Sequence, residues 1–269
     1  MRLIEALKIK FPHLSQKQMR DLIKSKNVMW RGRAAKISDT VANPQELSIP
    51  ESLLQTQLQP NPNLKIEILF EDADFLFVEK PAGIHSVAQS FDEMHSVANA
   101  ILHTHPELAT LNPLECGLAH RLDFETSGVM VAAKNKLAYE FLRYSFQNAQ
   151  VEKIYKAMTA KRPPRFGLYR ACVLDGAKSS KRVHLTSEQI NDKVLETEIL
   201  DAQKSGDDFI ISIKLVTGHR HQIRAQLALL DCPLKGDTLY GDPHEPPFQL
   251  HAQSLAFFYN GKNYRVESL

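Results

Sequence analysis

Apolar side chains recur at helical spacing near the N-terminus. One set predicts a helix over residues 2–11, and it consists of Leu3, Ile4, Leu7 and Phe11. A second set, Met19, Leu22 and Ile23, predicts another helix that follows Ser15 as a plausible N-cap. Residues 28–37 then predict two short strands joined at Arg31-Gly32. The first 50 residues are therefore expected to form two helices and a small hairpin.

Residues 51–63 interrupt this pattern. They are rich in Gln, Pro and Asn and lack an apolar period, which is typical of a linker between domains. We therefore predict a small domain over residues 1–50, a linker over 51–63 and a larger domain over 64–269.

Alternation of apolar and polar positions predicts most of the larger domain to be strands. The predicted strands are 64–70, 74–80, 151–158, 168–173, 194–202, 209–216, 250–259 and 263–267, with the last two joined at Asn260-Gly261. Helical spacing predicts helices over 96–108, around 137–145 and over 222–230, the last with Ile223, Leu227 and Leu230 on one face. This order predicts an α+β fold, in which flanking helices cover a mixed, mainly antiparallel sheet.

Composition indicates the class of protein and its location in the cell. The 269 residues are 43% hydrophobic and 24% charged, which is ordinary for a globular protein. No apolar run approaches the roughly 20 residues of a membrane helix, and the first residues lack the continuous apolar segment of a secretory signal. Three widely spaced cysteines, Cys116, Cys172 and Cys232, are typical of reduced thiols. We expect a cytoplasmic protein that does not bind a membrane.

Positive charge is concentrated at the N-terminus. Residues 1–50 hold ten Lys and Arg against four Asp and Glu, whereas residues 51–269 hold 23 against 27. Such asymmetry indicates a contact for a polyanion or simply a solvated surface. The pairs His103/His105 and His219/His221 could each ligate a metal, but no further ligand set is visible, so we predict no metal site.

One stretch places polar residues where a core is expected. In residues 117–135, GLAHRLDFETSGVMVAAKN, apolar runs flank a polar segment centred on Asp123. A buried carboxylate must be paired with a cation or hydrogen-bonded, because desolvation of a lone charge costs several kcal/mol or more. Arg121 could be its partner in a purely structural ion pair, or the carboxylate could serve a reaction.

The string HRLDFETSG resembles the second motif of the RluA-type pseudouridine synthases, which isomerise uridine in RNA. The family pattern is His-Arg-Leu-Asp, two variable residues, Thr, Thr or Ser, and Gly. The resemblance implies that Asp123 is the catalytic aspartate and that Arg121 lies beside it. Phe124 departs from the basic residue that is usual at its position.

Three other segments resemble motifs of the same family in the family's order, so that the resemblance covers nearly all of residues 64–241. The first is Lys80-Pro81-Ala82-Gly83, and the second is Lys153-Ile154-Tyr155-Lys156-Ala157, whose Tyr stacks on the target base in the family. The third is TGHRHQIR, residues 217–224, in which Arg224 matches the arginine that pairs with the catalytic aspartate. His219, Arg220 and Gln226 depart from the family pattern.

The N-terminal piece more weakly resembles the alpha-L RNA-binding domain, which has the same order of two helices and a hairpin. The resemblance implies RNA contacts by exposed basic residues, namely Lys17, Arg20, Lys24, Arg31 and Arg33. A helical cap without an RNA-binding role is the alternative.

Taken together, these resemblances imply isomerisation of uridine in structured RNA, ribosomal or transfer, without a cofactor. The reaction requires the base to leave its stack, with Arg121 filling the gap and Tyr155 stacking on the base. We expect Arg224 about 4 to 6 Å from Asp123, where it would lower the pKa of that carboxyl group. We also expect a monomer without an obligate protein partner.

Two other functions are considered. A non-catalytic RNA-binding protein would explain the basic N-terminus but leaves Asp123, Tyr155 and Arg224 without a purpose. A glycoside hydrolase or metal-dependent hydrolase needs a second carboxylate or a ligand cluster, and Glu125 is expected on the far side of the turn.

Overall fold

A computed structural model describes residues 1–12, 14, 16–53, 57–174, 182–190, 194–241 and 247–268. The predicted N-cap Ser15 lies outside these residues, as does the side chain of Lys17. Contacts divide the chain into two compact units, Met1–Gln59 with Gln89–Glu93, and Pro60–Ala88 with Met94–Leu269. The proposed linker and domain limits stay a prediction.

The N-terminal unit contains the predicted two helices and hairpin. Its elements are α1 (Leu3–Lys10), α2 (Gln16–Lys24), β1 (Met29–Trp30), β2 (Arg33–Ala34) and β3 (Leu47–Ser48), with 3-10 turns at Pro44–Glu46 and Glu51–Leu53. Both β2 and the unpredicted β3 pair antiparallel with β1. Leu3, Leu7, Met19, Val28 and Leu47 are buried together in a separate small core.

The second unit contains the remaining elements. They are β4 (Glu67–Glu71), β5 (Phe75–Lys80), α3 (Val97–Thr104), β6 (Ser127–Ala133), α4 (Lys136–Gln147), β7 (Glu152–Thr159), β8 (Gly167–Val173), β9 (Leu185–Thr186), β10 (Val194–Ser205), β11 (Asp208–Leu215), α5 (Gln222–Leu229), β12 (Leu250–Tyr259) and β13 (Lys262–Glu267). A 3-10 helix, Pro106–Thr110, follows α3, so the predicted helix over 96–108 ends early. Every predicted strand is confirmed within a few residues, whereas β9 was not predicted.

Ten of these strands form one sheet within the described residues. The order is β4-β5-β6-β12-β7-β11-β10-β8-β9, and β13 pairs with β12. Strands β6 and β12 run parallel, and the other neighbours run antiparallel. The predicted α+β class with a mixed, mainly antiparallel sheet is therefore confirmed.

Burial along the strands follows from their sequences. Strands β5 and β6 are nearly continuous apolar runs and are buried on both faces, as expected for central strands. Strand β7 alternates between half-buried and buried positions. Around Phe75, the rings of Phe257, Tyr259 and Tyr264 pack edge to face at centroid distances of 4.9 to 5.0 Å. These rings belong to the core that joins β5, β12 and β13.

Helix α5 differs from the predicted amphipathic helix with one apolar face. Every residue from 222 to 227 is buried, including Gln222, Arg224 and Gln226. Burial of polar side chains requires hydrogen bonds inside the protein, and for Gln222 these go to Glu196 and Thr197 of β10. The helix thus carries polar groups into the interior. None of the described helices is long and apolar enough to cross a membrane.

Gly128 fixes the close approach of β6 to β12. Its φ is +118°, a conformation that other residues rarely adopt, and it pairs with Ala252 across the parallel ladder. A Cβ atom at residue 128 would lie 2.6 Å from the backbone nitrogen of Ala252. The strand that follows Asp123 can therefore take its place only with glycine at this position.

We predict that Gly128→Ala lowers the free energy of unfolding by more than ~2 kcal/mol, because both the backbone angle and the contact with Ala252 become unfavourable. Urea unfolding measures this loss. The control is Gly206→Ala, at φ +61° with nothing within 4 Å of the added methyl group. It should cost only about 1 kcal/mol. Equal losses in the two variants would contradict the proposed steric constraint at Gly128.

Candidate active site

A cavity of ≈ 520 Å³ opens beside the loop that carries Asp123. Residues 119–123, the start of β7 and the segment 217–224 line it. Its volume is within the usual range for small-ligand pockets, about 300 to 1,000 Å³. Asp123 is the single carboxylate among its described lining residues.

Lys80 holds the backbone on the C-terminal side of Asp123. Its ammonium group is fully buried and donates hydrogen bonds to the carbonyl oxygens of Pro81, Phe124 and Thr126 at 3.1, 3.1 and 2.6 Å. Burial lowers the pKa of Lys80 to about 8, against the attraction of Asp123 and Glu125. The Lys-Pro turn thus fixes the loop as well as ending β5, a role that the sequence pattern did not reveal.

Ser86 and Gly83 complete this support. The Ser86 hydroxyl accepts from the backbone N–H of Leu122 at 2.9 Å and donates to the Leu122 carbonyl at 3.0 Å. The N–H of Gly83 donates to the carbonyl of Phe124 at 2.9 Å. The residues on both sides of Asp123 are therefore anchored, which restricts where its carboxylate can point.

Arg224 reaches Asp123 from α5 but is shared with other acids. Its side chain is 1% exposed, and Nε and Nη2 each lie 2.8 Å from one oxygen of the buried Asp237. Nη1 lies 3.3 Å from Glu125 and 3.8 Å from Asp123. The expectation that Glu125 lies on the far side of the turn is wrong, because it shares Arg224 with Asp123. It does not line the cavity and is 39% exposed.

His221 also lies near Asp123, and it would be a second cation there if its imidazole were protonated. Its Nε2 lies 4.0 Å from Asp123, and its Nδ1 lies 3.2 Å from the hydroxyl of Tyr240. It caps α5 with a φ of +55°, an uncommon conformation for histidine that Gln222 stabilises through the backbone of His219. His219 and His221 therefore lie in a turn, not on one face of a strand. No metal-ligating cluster occurs among the described residues.

Burial dominates the ionisation of Asp123. Its side chain is 23% exposed, and desolvation raises the pKa of its carboxyl group, although His221 and Arg224 oppose the rise. Glu125 raises it further. Arg224 thus lowers this pKa, as expected, but burial outweighs it, since Asp237 makes both of the short hydrogen bonds to the guanidinium. Burial also lowers the pKa of His221, so its imidazole is neutral near pH 7.

Tyr155 and Arg121 line the same cavity as Asp123 but differ in exposure. Tyr155 is 7% exposed in β7, where burial and the charge of Asp123 raise the pKa of its hydroxyl group. Arg121 is exposed, and no carboxylate lies within 4 Å of it in the part of the chain that the structure describes. The alternative of a structural Arg121–Asp123 ion pair is therefore not observed.

The positions that depart from the family pattern differ in setting. Phe124 is 44% exposed, and its ring lies 4.9 Å from that of His85. His219 and Arg220 line the cavity. Gln226 is 1% exposed, and its Oε1 lacks a hydrogen-bond partner among the described residues.

The N-terminal unit has a separate basic groove of ≈ 550 Å³. Arg20, Lys24, Lys26 and Lys36 line it, and none of their charged groups lies within 4 Å of a carboxylate among the described residues, although Asp39 accepts a hydrogen bond from the backbone N–H of Lys36. The other predicted contacts, Arg31 and Arg33, pair with Glu46 at 2.8 Å and Asp39 at 2.9 Å and flank the ring of Trp30. The sequence did not single out Lys26 and Lys36, since nothing local marks them as partners of α2.

A cavity lined by a half-buried carboxylate of raised pKa is the arrangement of an enzyme active site. Residues 74–229 match the family described as RNA pseudouridylate synthase. An uncharacterized RNA pseudouridine synthase of Chloroflexus aurantiacus is 31% identical over 259 residues, which cover 93% of this chain and 78% of the relative. The chain therefore belongs to the RNA pseudouridylate synthase family, which isomerises uridine to pseudouridine.

Other relatives agree. Ribosomal large subunit pseudouridine synthase D of Escherichia coli is 27% identical over 249 residues, 91% of this chain and 74% of that protein. The solved structure of human RNA pseudouridylate synthase domain containing 4 superposes with a TM-score of 0.60 at 23% identity, over 75% of this chain and 87% of that one. This likeness supports the fold.

We predict that Glu125→Gln lowers the pKa of Asp123, because it removes a like charge and frees Arg224 for Asp123. An NMR titration of the Asp123 carboxyl carbon measures it directly. The exposed and distant Glu67→Gln is the control and should leave the titration in place. A midpoint that stays constant or rises in Glu125→Gln would show that Glu125 does not contribute to the raised pKa.

Proposed function

We propose that this chain isomerises specific uridines in ribosomal RNA and that Asp123 is the reacting carboxylate. The observation that carries the proposal is the position of Asp123, anchored on both sides and directed into a cavity beside Arg224 and His221. Relatives named ribosomal large subunit pseudouridine synthase D support the substrate class. A cytoplasmic location and a monomer stay predictions.

Making pseudouridine breaks the bond between C1′ and N1, turns the uracil and joins C1′ to C5 with loss of the C5 proton. A single carboxylate can serve in three ways, by attack on C1′, by addition to C6 of the ring or by removal of the 2′ proton. Each requires ionised Asp123. Because burial raises its pKa, the carboxylate is poorly solvated and correspondingly reactive.

Base flipping uses the two residues that flank the cavity. Arg121 is exposed beside the cavity without a carboxylate partner among the described residues, so it is available to fill the gap left in the RNA stack. The ring of Tyr155 forms part of the wall next to Asp123. Stacking of a base on an aromatic ring contributes ~1 to 3 kcal/mol, comparable to the cost of extruding the base.

The N-terminal unit binds RNA through phosphates. Its groove brings Arg20 and Lys24 of α2 beside Lys26 and Lys36 without a carboxylate in its lining. Arg31 and Arg33 already have anionic partners, so they contribute less. The side chain of Lys17 lies outside the described residues, and its RNA contact stays a prediction.

Asp123→Asn tests the function. We predict that it abolishes release of tritium from RNA that contains 5-tritiated uridine, because Asn can neither attack carbon nor accept a proton. Melting at pH 7 should be unchanged or slightly higher, since the folded state penalises the ionised carboxyl group, as its raised pKa shows. Mapping of pseudouridine in ribosomal and transfer RNA from cells with and without the gene identifies the substrate. Activity retained by the folded variant would contradict a reacting Asp123, and a loss confined to transfer RNA would contradict the ribosomal substrate.

Neutralising the groove should weaken binding without slowing the reaction. We predict that Lys24→Gln, Lys26→Gln and Lys36→Gln together reduce the slope of log affinity against log salt by up to ~0.7 to 0.9 per lost phosphate contact. The comparison is the double variant Arg31→Gln and Arg33→Gln, which should change the slope less. Filter binding at several salt concentrations measures both. A larger effect of the arginine pair would move the RNA contact to the hairpin.

A further inference from the structure

Lys153 is a buried cation in the wall of the cavity. It is 5% exposed, and it lies on β7 two residues before Tyr155, on the same face of the strand. Both residues line the cavity. Positions i and i+2 of a strand are about 6.6 Å apart, so one nucleotide base can contact both side chains.

The ammonium group of Lys153 lacks an anionic partner. Within the described part of the chain no carboxylate lies within 4 Å, and its hydrogen bond to the carbonyl of Val216 is long, 3.4 Å. Gly218 lies next to this ammonium group, since a Cβ atom added there would contact Nζ at 3.7 Å. A buried charge without compensation costs several kcal/mol, so this position lowers stability unless a ligand supplies the missing acceptor.

The rest of the cavity also favours an anionic ligand. Arg121, Arg143 and Arg220 line it together with Lys153, whereas Asp123 is the single acid among its described lining residues. His120 stays neutral, because burial and the charge of Lys153 lower its pKa to about 3. Burial lowers the pKa of Lys153 itself to about 8, so it is mostly protonated at pH 7.

The proposed reaction delivers negative charge to the uracil whichever role Asp123 has. If Asp123 attacks C1′ or removes the 2′ proton, the C1′–N1 bond breaks and its electron pair leaves with the ring, delocalised over N1, O2 and O4. If Asp123 adds to C6, the C5=C6 electrons move onto O4. In each case the bond between C5 and C1′ neutralises this charge, loss of the C5 proton to a base restores it, and protonation of N1 removes it. The carbon or proton that Asp123 took up is returned before the product leaves.

We propose that Lys153 is a catalytic residue that donates a hydrogen bond to a carbonyl oxygen of the flipped uracil and stabilises the charge that develops there. This inference rests on the proposed isomerisation of uridine. A uracil oxygen fits the position better than a phosphate does, because Lys153 is buried in the wall beside Tyr155, where a charged phosphate would have to lose its water. A fixed donor aimed at developing charge favours the transition state over the bound substrate.

The test compares Lys153→Met with Lys156→Met, a lysine of the same strand that faces away and bonds to Ser212. Tritium release is followed under single turnover on the RNA that mapping identifies, over a range of RNA concentrations. We expect Lys153→Met to reduce the saturated rate by about 10²- to 10³-fold with half-saturation within threefold. Lys156→Met should retain the original rate.

Thermal melting distinguishes a catalytic role of Lys153 from a purely structural one. Lys153→Met removes an unpaired buried charge, so its melting temperature should equal or exceed that of the unmodified protein, whereas a structural lysine would lower it. A saturated rate within threefold of the original overturns the proposal, as does a loss confined to half-saturation, which would indicate a phosphate contact. If the unmodified protein releases no tritium, the proposed isomerisation itself fails and this inference fails with it. If the unmodified protein and Lys153→Met release tritium equally fast, this inference fails and the proposed isomerisation stands.

Discussion

The structure of the site depends on how one buried guanidinium is divided among three carboxylates. Arg224 makes two parallel hydrogen bonds to Asp237, 13 residues later in the chain, and reaches Glu125 and Asp123 with its remaining nitrogen. The paired bonds fix the plane of the guanidinium. Asp123 therefore lies near a cation in a defined position but shares it with two other carboxylates. Desolvation can for this reason raise the pKa of its carboxyl group.

The backbone must hold Asp123 in place, because its carboxylate lies 3.8 Å from the nearest nitrogen of Arg224, too far for a hydrogen bond. This explains the density of support around residues 122–126. Lys80 donates hydrogen bonds to three carbonyl oxygens, and the Ser86 hydroxyl bonds to both the N–H and the carbonyl of Leu122. Gly128 then lets β6 enter the sheet against β12 at once. Val129, Val131 and Ala133 of β6 pack in the same core as Phe75 and Phe257.

Much of the fold could be predicted from local patterns. Alternation located the long strands except β6, which the apolar run after Asp123 indicates, and helical spacing located α1, α2 and α4, since these signals depend on neighbouring residues alone. The family motifs located Asp123, Arg121, Tyr155 and Arg224, which the structure brings to one cavity. Strand β9 has two residues and β3 pairs with a distant partner, so neither has a usable local period.

The errors arose where an outcome depends on contacts between distant segments. The side of the turn that Glu125 takes is decided by Arg224, 99 residues later. Likewise, the acceptors of Lys80 lie up to 46 residues away. Arg224 lowers the pKa of Asp123 as expected, but the net rise depends on how far distant segments bury the carboxyl group. A helix as polar as α5 looks amphipathic until the partners of its polar residues are known.

Buried charge is distributed unevenly around the cavity, and this distribution connects stability with function. Asp237 and Arg224 compensate each other, and Lys80 is compensated by carbonyl oxygens. Asp123 and Lys153 are less well compensated, and both line the cavity in which we propose that the base lies. Folding alone would favour apolar residues at these two positions. The proposed reaction instead needs both charges in one cavity. The carboxylate reacts with the nucleotide, and the ammonium group stabilises the negative charge that develops on the uracil.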